Sequence, residues 1–312
     1  MLDNREKIQR IIEAARMYYL DNMTQNEIAK KLNISRPLVS KILNDAKELG
    51  IVTIKIKSPF SDTETIMEKL KKQYNLEKTV IVQQLSTTAL TDQNILKETV
   101  SFLKENLKDV TVFGLGWGNM IGPFIDKIES EERFINLKGK VVPLIGNTNM
   151  ATREYHPNDL IRVFGEKTNL TPAYLFAPAF LATEQEKEVF LNIENYCDIS
   201  RMWEKLDAVF LGINSHPSVP DLATALRFGN TLNEKKAVGK VLSYYFDKEG
   251  NIIKGENDFS IQIPWEQLKK IKKVIGIASS KTNKKAVIGA LKTGIFTHII
   301  ISEKLAEDIT EE

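Results

Sequence analysis

Seven short runs of β-branched or aromatic residues, at 80–83, 110–113, 141–144, 174–177, 208–211, 274–277 and 298–301, alternate with stretches of helical periodicity. Such runs carry no polar face, so the strands they form must be buried on both sides. Strands that alternate with helices connect by crossovers and lie parallel, with helices on both faces. The pattern predicts an α/β fold: a Rossmann-like, doubly wound, mostly parallel sheet. A chain of 312 residues with 42% hydrophobic composition has ample material for its core and is comfortable as two domains. In these sheets ligands sit beyond the carboxyl ends of the strands, so the loops after the runs are where chemistry is expected.

The first such loop is Gly114-Leu-Gly-Trp-Gly-Asn119, placed before a helix that starts near Met120. Gly114, Gly116 and Gly118 let backbone N–H groups turn toward an anion, and the helix N-terminus adds partial positive charge, which suits a phosphate. The spacing matches neither the dinucleotide fingerprint nor the Walker loop, which argues against NAD and ATP. Trp117 either covers a sugar or packs, and Asn119 offers an amide. Gly146 and Asn147 follow the third run and suit hydroxyl recognition, while Gly212 and Asn214 follow the fifth. Asp247 closes the segment Ser243-Tyr-Tyr-Phe-Asp-Lys-Glu-Gly250 and is either a ligand group or part of a hairpin turn. Lys281, after Ala278-Ser-Ser, either neutralises a phosphate or begins the next helix.

Ahead of the sheet pattern, residues 24–43 read as a helix-turn-helix. Thr24 and Glu27 have capping-box spacing, Ile28, Ala29 and Leu32 share one face, and Asn33 suits a left-handed turn residue. Ser35 is expected to cap the second helix, with Pro37 in its first turn and Leu38, Val39, Ile42 and Leu43 on its buried side. Arg36, Pro37, Ser40, Lys41 and Asn44 then face outward. With Thr24, Gln25 and Ser35 they form the candidate DNA-binding set, some reaching base edges and others phosphates. An earlier helix should pack across the pair through Ile8, Ile11, Ile12, Ala15 and Tyr19, and residues 52–57 alternate as a strand that would form a wing carrying Lys55 and Lys57. The break at Ser58-Pro-Phe-Ser61 places the domains at 1–58 and 59–312.

Residues 1–58 hold 11 Lys and Arg against 7 Asp and Glu, so the head carries an excess of +4 while the remainder is at −2. That is the sign a DNA-reading head requires. A single cysteine, Cys197, excludes an internal disulfide, and with no signal peptide it points to the cytoplasm. No apolar run is long enough to span a membrane. His156, His216 and His298 show no metal-ligand spacing, so no metal or other cofactor is expected.

Taken with these loops, the chain resembles the bacterial SorC family of transcriptional regulators, including its central-glycolytic-gene and deoxyribonucleoside regulators. The matching segments are Ala14-Ala-Arg-Met-Tyr-Tyr19 leading into Thr24-Gln25, then Ile34-Ser-Arg-Pro-Leu-Val-Ser-Lys41, Gly116-Trp-Gly118, Tyr244-Tyr-Phe-Asp-Lys-Glu-Gly250, and Ala278 to Lys281 followed by Ala286-Val-Ile-Gly-Ala-Leu291. The resemblance implies a sensing domain akin to sugar-phosphate isomerases and deaminases, a sugar or sugar-phosphate effector, double-stranded operator DNA as partner, and a homodimer or homotetramer. Three positions depart from the family pattern: Asn119-Met120 follows the glycine loop where hydroxyls are usual, Ile145 stands where a Schiff-base lysine could, and Ser279-Ser280 replace glycines. The expected function is a DNA-binding transcriptional regulator controlled by its effector. The alternative is a sugar-phosphate isomerase or deaminase with an added head, which would draw its acid–base groups from Asp247, His156 or Glu154.

Overall fold

Capping chemistry fixes the start of one helix of the head. In the computed structural model, which describes residues 4–52, 63–131, 134–217 and 222–311, the chain divides into two units, Met1–Ser61 and Asp62–Glu312. The first contains α1 (Asn4–Tyr19), α2 (Gln25–Lys31) and α3 (Arg36–Glu48). Thr24 N donates to the Glu27 carboxylate at 2.8 Å, and Glu27 N donates to Thr24 Oγ1 at 3.3 Å, closing the reciprocal capping box. Those Thr24 bonds hold the Glu27 carboxyl below its ordinary pKa. Asn33 takes the left-handed turn at φ 51°. Ser35 starts α3 without a side-chain cap; its carbonyl instead accepts from Leu38 and Val39.

The head's core gathers Ile11, Ala14, Ala15 and Met17 from α1, Ile28 from α2, and Val39, Ile42, Leu43 and Ala46 from α3. Two expectations are corrected. Ile8 and Ile12 stay 41% and 39% exposed, because the buried stripe of α1 runs through Ile11, Ala14 and Ala15. Leu38 is 42% exposed: it lies about 90° around the helix from the centre of the stripe formed by Val39, Ile42, Leu43 and Ala46. The wing expected at 52–57 and the boundary at 58 lie outside the described residues, save Val52 itself.

The second unit runs α4 (Thr63–Tyr74), β1 (Lys78–Val82), α5 (Thr88–Asn106), β2 (Val112–Leu115), α6 (Ile121–Glu129), β3 (Lys140–Pro143), α7 (Pro157–Thr168), β4 (Thr171–Pro172), α8 (Glu184–Leu191), α9 (Glu194–Trp203) and β5 (Ala208–Ser215). It continues with α10 (Leu222–Phe228), α11 (Thr231–Glu234), β6 (Gly239–Val241), β7 (Tyr244–Phe246), β8 (Ile252–Ile253), α12 (Trp265–Leu268), β9 (Lys273–Ala278), α13 (Lys284–Lys292), β10 (His298–Ser302) and α14 (Glu303–Thr310). Seven strands form a parallel sheet in the order β1-β10-β9-β5-β2-β3-β4. Every residue of β10 and the first six of β5 are buried, as strands covered on both faces must be.

Six of the seven apolar runs form strands. The run at 174–177 does not: the edge is taken by the two-residue β4, and asparagine side chains replace the ladder beyond it. Asn158 Oδ1 accepts from Leu175 N at 3.1 Å, Asn195 Oδ1 accepts from Phe176 N at 2.8 Å, and Asn147 Nδ2 donates to Leu175 O at 2.9 Å. A buried backbone needs partners, but they need not be a strand. The antiparallel meander β6–β7–β8, attached to β5, is an addition the sequence pattern did not show beyond its turn.

Candidate functional site

The sheet forks along β5. Ala208, Val209 and Phe210 pair with β2, whereas Ile213, Asn214 and Ser215 pair with β6 on the same side. After β2 the chain turns away, and the meander fills its place. The crevice between them lies where the strand order reverses, beyond the carboxyl ends of β2 and β5, as parallel sheets favour. It forms a cavity of ≈ 680 Å³, within the size range of small-molecule sites.

One wall is aromatic. Trp117 meets Tyr155 edge-on at 5.5 Å and Phe180 at 6.0 Å, and its Nε1 donates to Leu242 O at 3.4 Å. Tyr155 OH donates to Asn119 Oδ1 at 3.1 Å, which ties the glycine loop to the segment opposite. Arg227 is 4% exposed, bonds Asp258 at 2.9 Å and Ser243 O at 3.0 Å, and lies over the Phe180 ring at 4.6 Å. Asp92 accepts from Ser279 Oγ and Ser280 N, both at 2.7 Å. Buried Ser243 Oγ and His216 Nδ1 have no partner among the described residues. Burial, reinforced by Lys240, pushes the His216 imidazole below its ordinary pKa.

Of the eleven residues singled out in the loops, Trp117, Asn119, Asn214 and Lys281 line this cavity. Gly118 sits between two of them at φ 97°, a conformation that L side chains rarely adopt. Gly116 lies behind the wall, and Gly212 lies 3.6 Å from the Trp117 carbonyl and the Asn214 amide, measured from where a Cβ would be. Gly114 and Gly146 serve packing: a Cβ on Gly114 would lie 2.6 Å from Leu144, and one on Gly146 would lie 2.6 Å from the Ala177 carbonyl. Asn147 is spent on Leu175 O.

Asp247 lies outside the cavity lining. Its carboxylate accepts from Glu249 N, Asn251 N and Asn251 Nδ2 at 2.9–3.0 Å, which makes it the organiser of the hairpin turn. Glu154 and His156 are also outside the lining, and His156 Nε2 lies 2.6 Å from Met150 O. The acid–base groups of the enzyme alternative are therefore not assembled at the cavity. Sequence reasoning missed Asp92, Arg227, Lys240 and Ser243, which reach the site through long-range pairing. Among the described residues no His, Cys, Asp and Glu cluster could hold a metal, and no helix is long and apolar enough to cross a membrane.

In the head, Arg36, Pro37, Lys41 and Asn44 are exposed and Ser40 is half-buried, so the outward face of α3 is free of core duties. Thr24, Gln25 and Arg36 share a shallow groove with Tyr18 and Tyr19, although the Thr24 hydroxyl is engaged in the cap. Ser35 is exposed as well.

Comparison with known proteins matches residues 58–311 to the sugar-binding domain family and residues 21–53 to a winged helix-turn-helix DNA-binding model. The chain belongs to the SorC family of sugar-binding transcriptional regulators. It is 29% identical over 310 residues to the deoxyribonucleoside regulator of Bacillus subtilis, covering 96% of each chain. It is 24% identical over 316 residues to the sorbitol operon regulator of Klebsiella pneumoniae, covering 98% of this chain and 99% of that one. The full-length structure of that SorC protein superposes with a TM-score of 0.71 at 22% identity, over 98% of this chain and 99% of that chain. A DeoR family regulator from Listeria monocytogenes gives a TM-score of 0.69 at 24% identity over 80% of this chain and all of the other. This SorC-family chain is thus a DNA-binding regulator with a sugar-binding domain, and these relatives are regulators.

Proposed function

We propose that this regulator grips operator DNA through the outward face of α3 and releases or tightens that grip when a sugar or sugar phosphate enters the cavity at the fork of β5. One observation carries the reading: a cavity walled by aromatic rings, an arginine and two lysines stands on the same chain as a recognition helix whose polar face is unburied. Arg36 and Ser40 would meet base edges, Lys41, Asn44, Gln25 and Ser35 phosphates, and the Thr24 cap would hold the α2 N-terminus in place.

The ligand would act by favouring one arrangement of a homodimer or homotetramer, which changes the spacing of paired heads on two half-sites. It can shift that balance only by its differential affinity for the two arrangements. Cytoplasmic action follows from the DNA partner. The relatives' names make deoxyribose- and hexitol-type sugars, free and phosphorylated, the first candidates.

Fluorescence anisotropy on the region upstream of the gene tests this. The expected result is a salt-dependent, sequence-selective affinity that shifts severalfold with one sugar class. Binding no tighter than to unrelated DNA, with and without sugars, defeats it.

A further inference from the structure

Two residues of the cavity lining, Met150 and Tyr155, come from a segment that the core does not hold. No residue from Asn147 to His156 is buried, and of these only Tyr155 packs, half-buried, against the hydrophobic core. The segment's one regular turn is three residues of 3-10 helix, Arg153–Tyr155, too short to be stable alone. With so little apolar burial, its position rests on polar contacts.

Those contacts come from two sides. Toward the cavity, Gly118 N donates to Glu154 O at 2.8 Å, Tyr155 OH to Asn119 Oδ1 at 3.1 Å and Thr148 Oγ1 to Tyr155 O at 3.0 Å. His156 Nε2 lies 2.6 Å from Met150 O, which closes the segment on itself. On the outer side, Arg153 Nη1 meets Asp126 at 2.7 Å and Glu129 at 3.0 Å on α6, and its Nε donates to Asp159 of α7 at 2.7 Å. One guanidinium therefore ties the segment to two helices, while Arg162, which shares Asp159, belongs to α7 itself. The fit against α6 is close: a Cβ on Gly122 would lie 2.5 Å from the Glu154 Cβ.

Resting on the sugar-effector reading, we infer that Arg153 is a positioning residue for the effector: from outside the cavity it clamps residues 148–156 onto α6 and α7, so that Tyr155 and Met150 stand in place before the sugar arrives. A wall already in place spares the ligand the cost of ordering it. A wall in place only part of the time raises the ligand concentration required in proportion. Each half-exposed ion pair is weak alone, but the three converge on one planar cation, so a single substitution releases them together.

Hydrogen exchange of the full chain, read by mass spectrometry, tests the clamp without a ligand. In Arg153→Gln, exchange should quicken about fivefold in peptides covering residues 148–156 and 117–120, while residues 208–213 of β5 stay unchanged. Asp126→Asn combined with Glu129→Gln should act in the same direction by emptying the α6 end of the clamp. Arg153→Lys should restore part of the protection, since an ammonium pairs without the fork. Operator anisotropy with ribose, ribose 5-phosphate, glucose and glucose 6-phosphate gives the second readout. A sugar that shifts wild type should need a severalfold higher concentration in Arg153→Gln to reach the same plateau. Unaltered exchange at 148–156, faster exchange spread evenly over the sheet unit, or an unchanged sugar midpoint overturns the clamp. Failure of the underlying sugar reading shows separately, as wild-type operator binding that no sugar alters, with the exchange result still deciding the clamp.

Discussion

The head and the sheet unit expose their functional groups by opposite means. In the head, the proposed DNA-facing residues are those the core leaves behind: Val39, Ile42, Leu43 and Ala46 turn inward, and Arg36, Lys41 and Asn44 are left exposed. One helix supplies most of that face, with Gln25 added from the start of α2. In the sheet unit the cavity is assembled from segments as distant as Asp92, Trp117, Arg227, Lys240 and Lys281, each delivered by a different element. A helical face is a local property of sequence, whereas a cavity at a strand fork is a property of topology.

Three measurements would break or sharpen that contrast. The largest effect is expected in the head's small core, where Ile28 is fully buried. Ile28→Ala should cost about 2–5 kcal/mol, unfolding the head first and abolishing operator binding while ligand-induced stabilisation of the sheet unit persists. Calorimetry showing one joint transition would mean that the two units are not separately stabilised.

Next comes a titration in the sheet unit. Burial, with Lys273 and Lys78 nearby, lowers the His298 pKa to about 4, and the ring sits edge-on to Phe102 at 5.5 Å. A depressed base binds its proton more weakly folded than unfolded. Its stability contribution is therefore complete above the ordinary histidine pKa and is lost as pH falls toward 4, a change of about 3 kcal/mol. Denaturant unfolding of wild type and His298→Gln across this range should show a steeper acid loss in wild type. Parallel curves would reject the assignment.

The smallest effect on stability should come from the DNA face. Arg36→Ala should weaken operator binding by about 1–3 kcal/mol, and Lys41→Ala should reduce the salt slope by about one, both with Tm unchanged. A drop in Tm would show that these side chains serve the fold after all.

Legibility followed the same division. The Thr24–Glu27 box, the left-handed Asn33 and six of the strands were readable, since each depends on neighbours within a few positions. Residues 174–177 misled because an apolar run held by Asn147, Asn158 and Asn195, with Leu175 and Ala177 buried and Phe176 exposed, has the composition of a strand. Leu38 misled because helical periodicity locates a stripe only to within a residue. Gly114 looked like a cradle glycine and Gly146 like part of a hydroxyl-recognition loop, yet their missing Cβ atoms make room for protein neighbours. Lys240 and Ser243 were unreadable because their place depends on β6 pairing with the far end of β5.

That pairing separates two kinds of inheritance. The first three residues of β5 are locked between β2 and β9, while its last three lean on a short meander of residues 239–253. On the proposed effector reading, changes in this appendage retune which metabolite is admitted without disturbing the parallel strands beneath. Exchanging it between regulators is therefore a direct route to chimeras that answer to a different sugar.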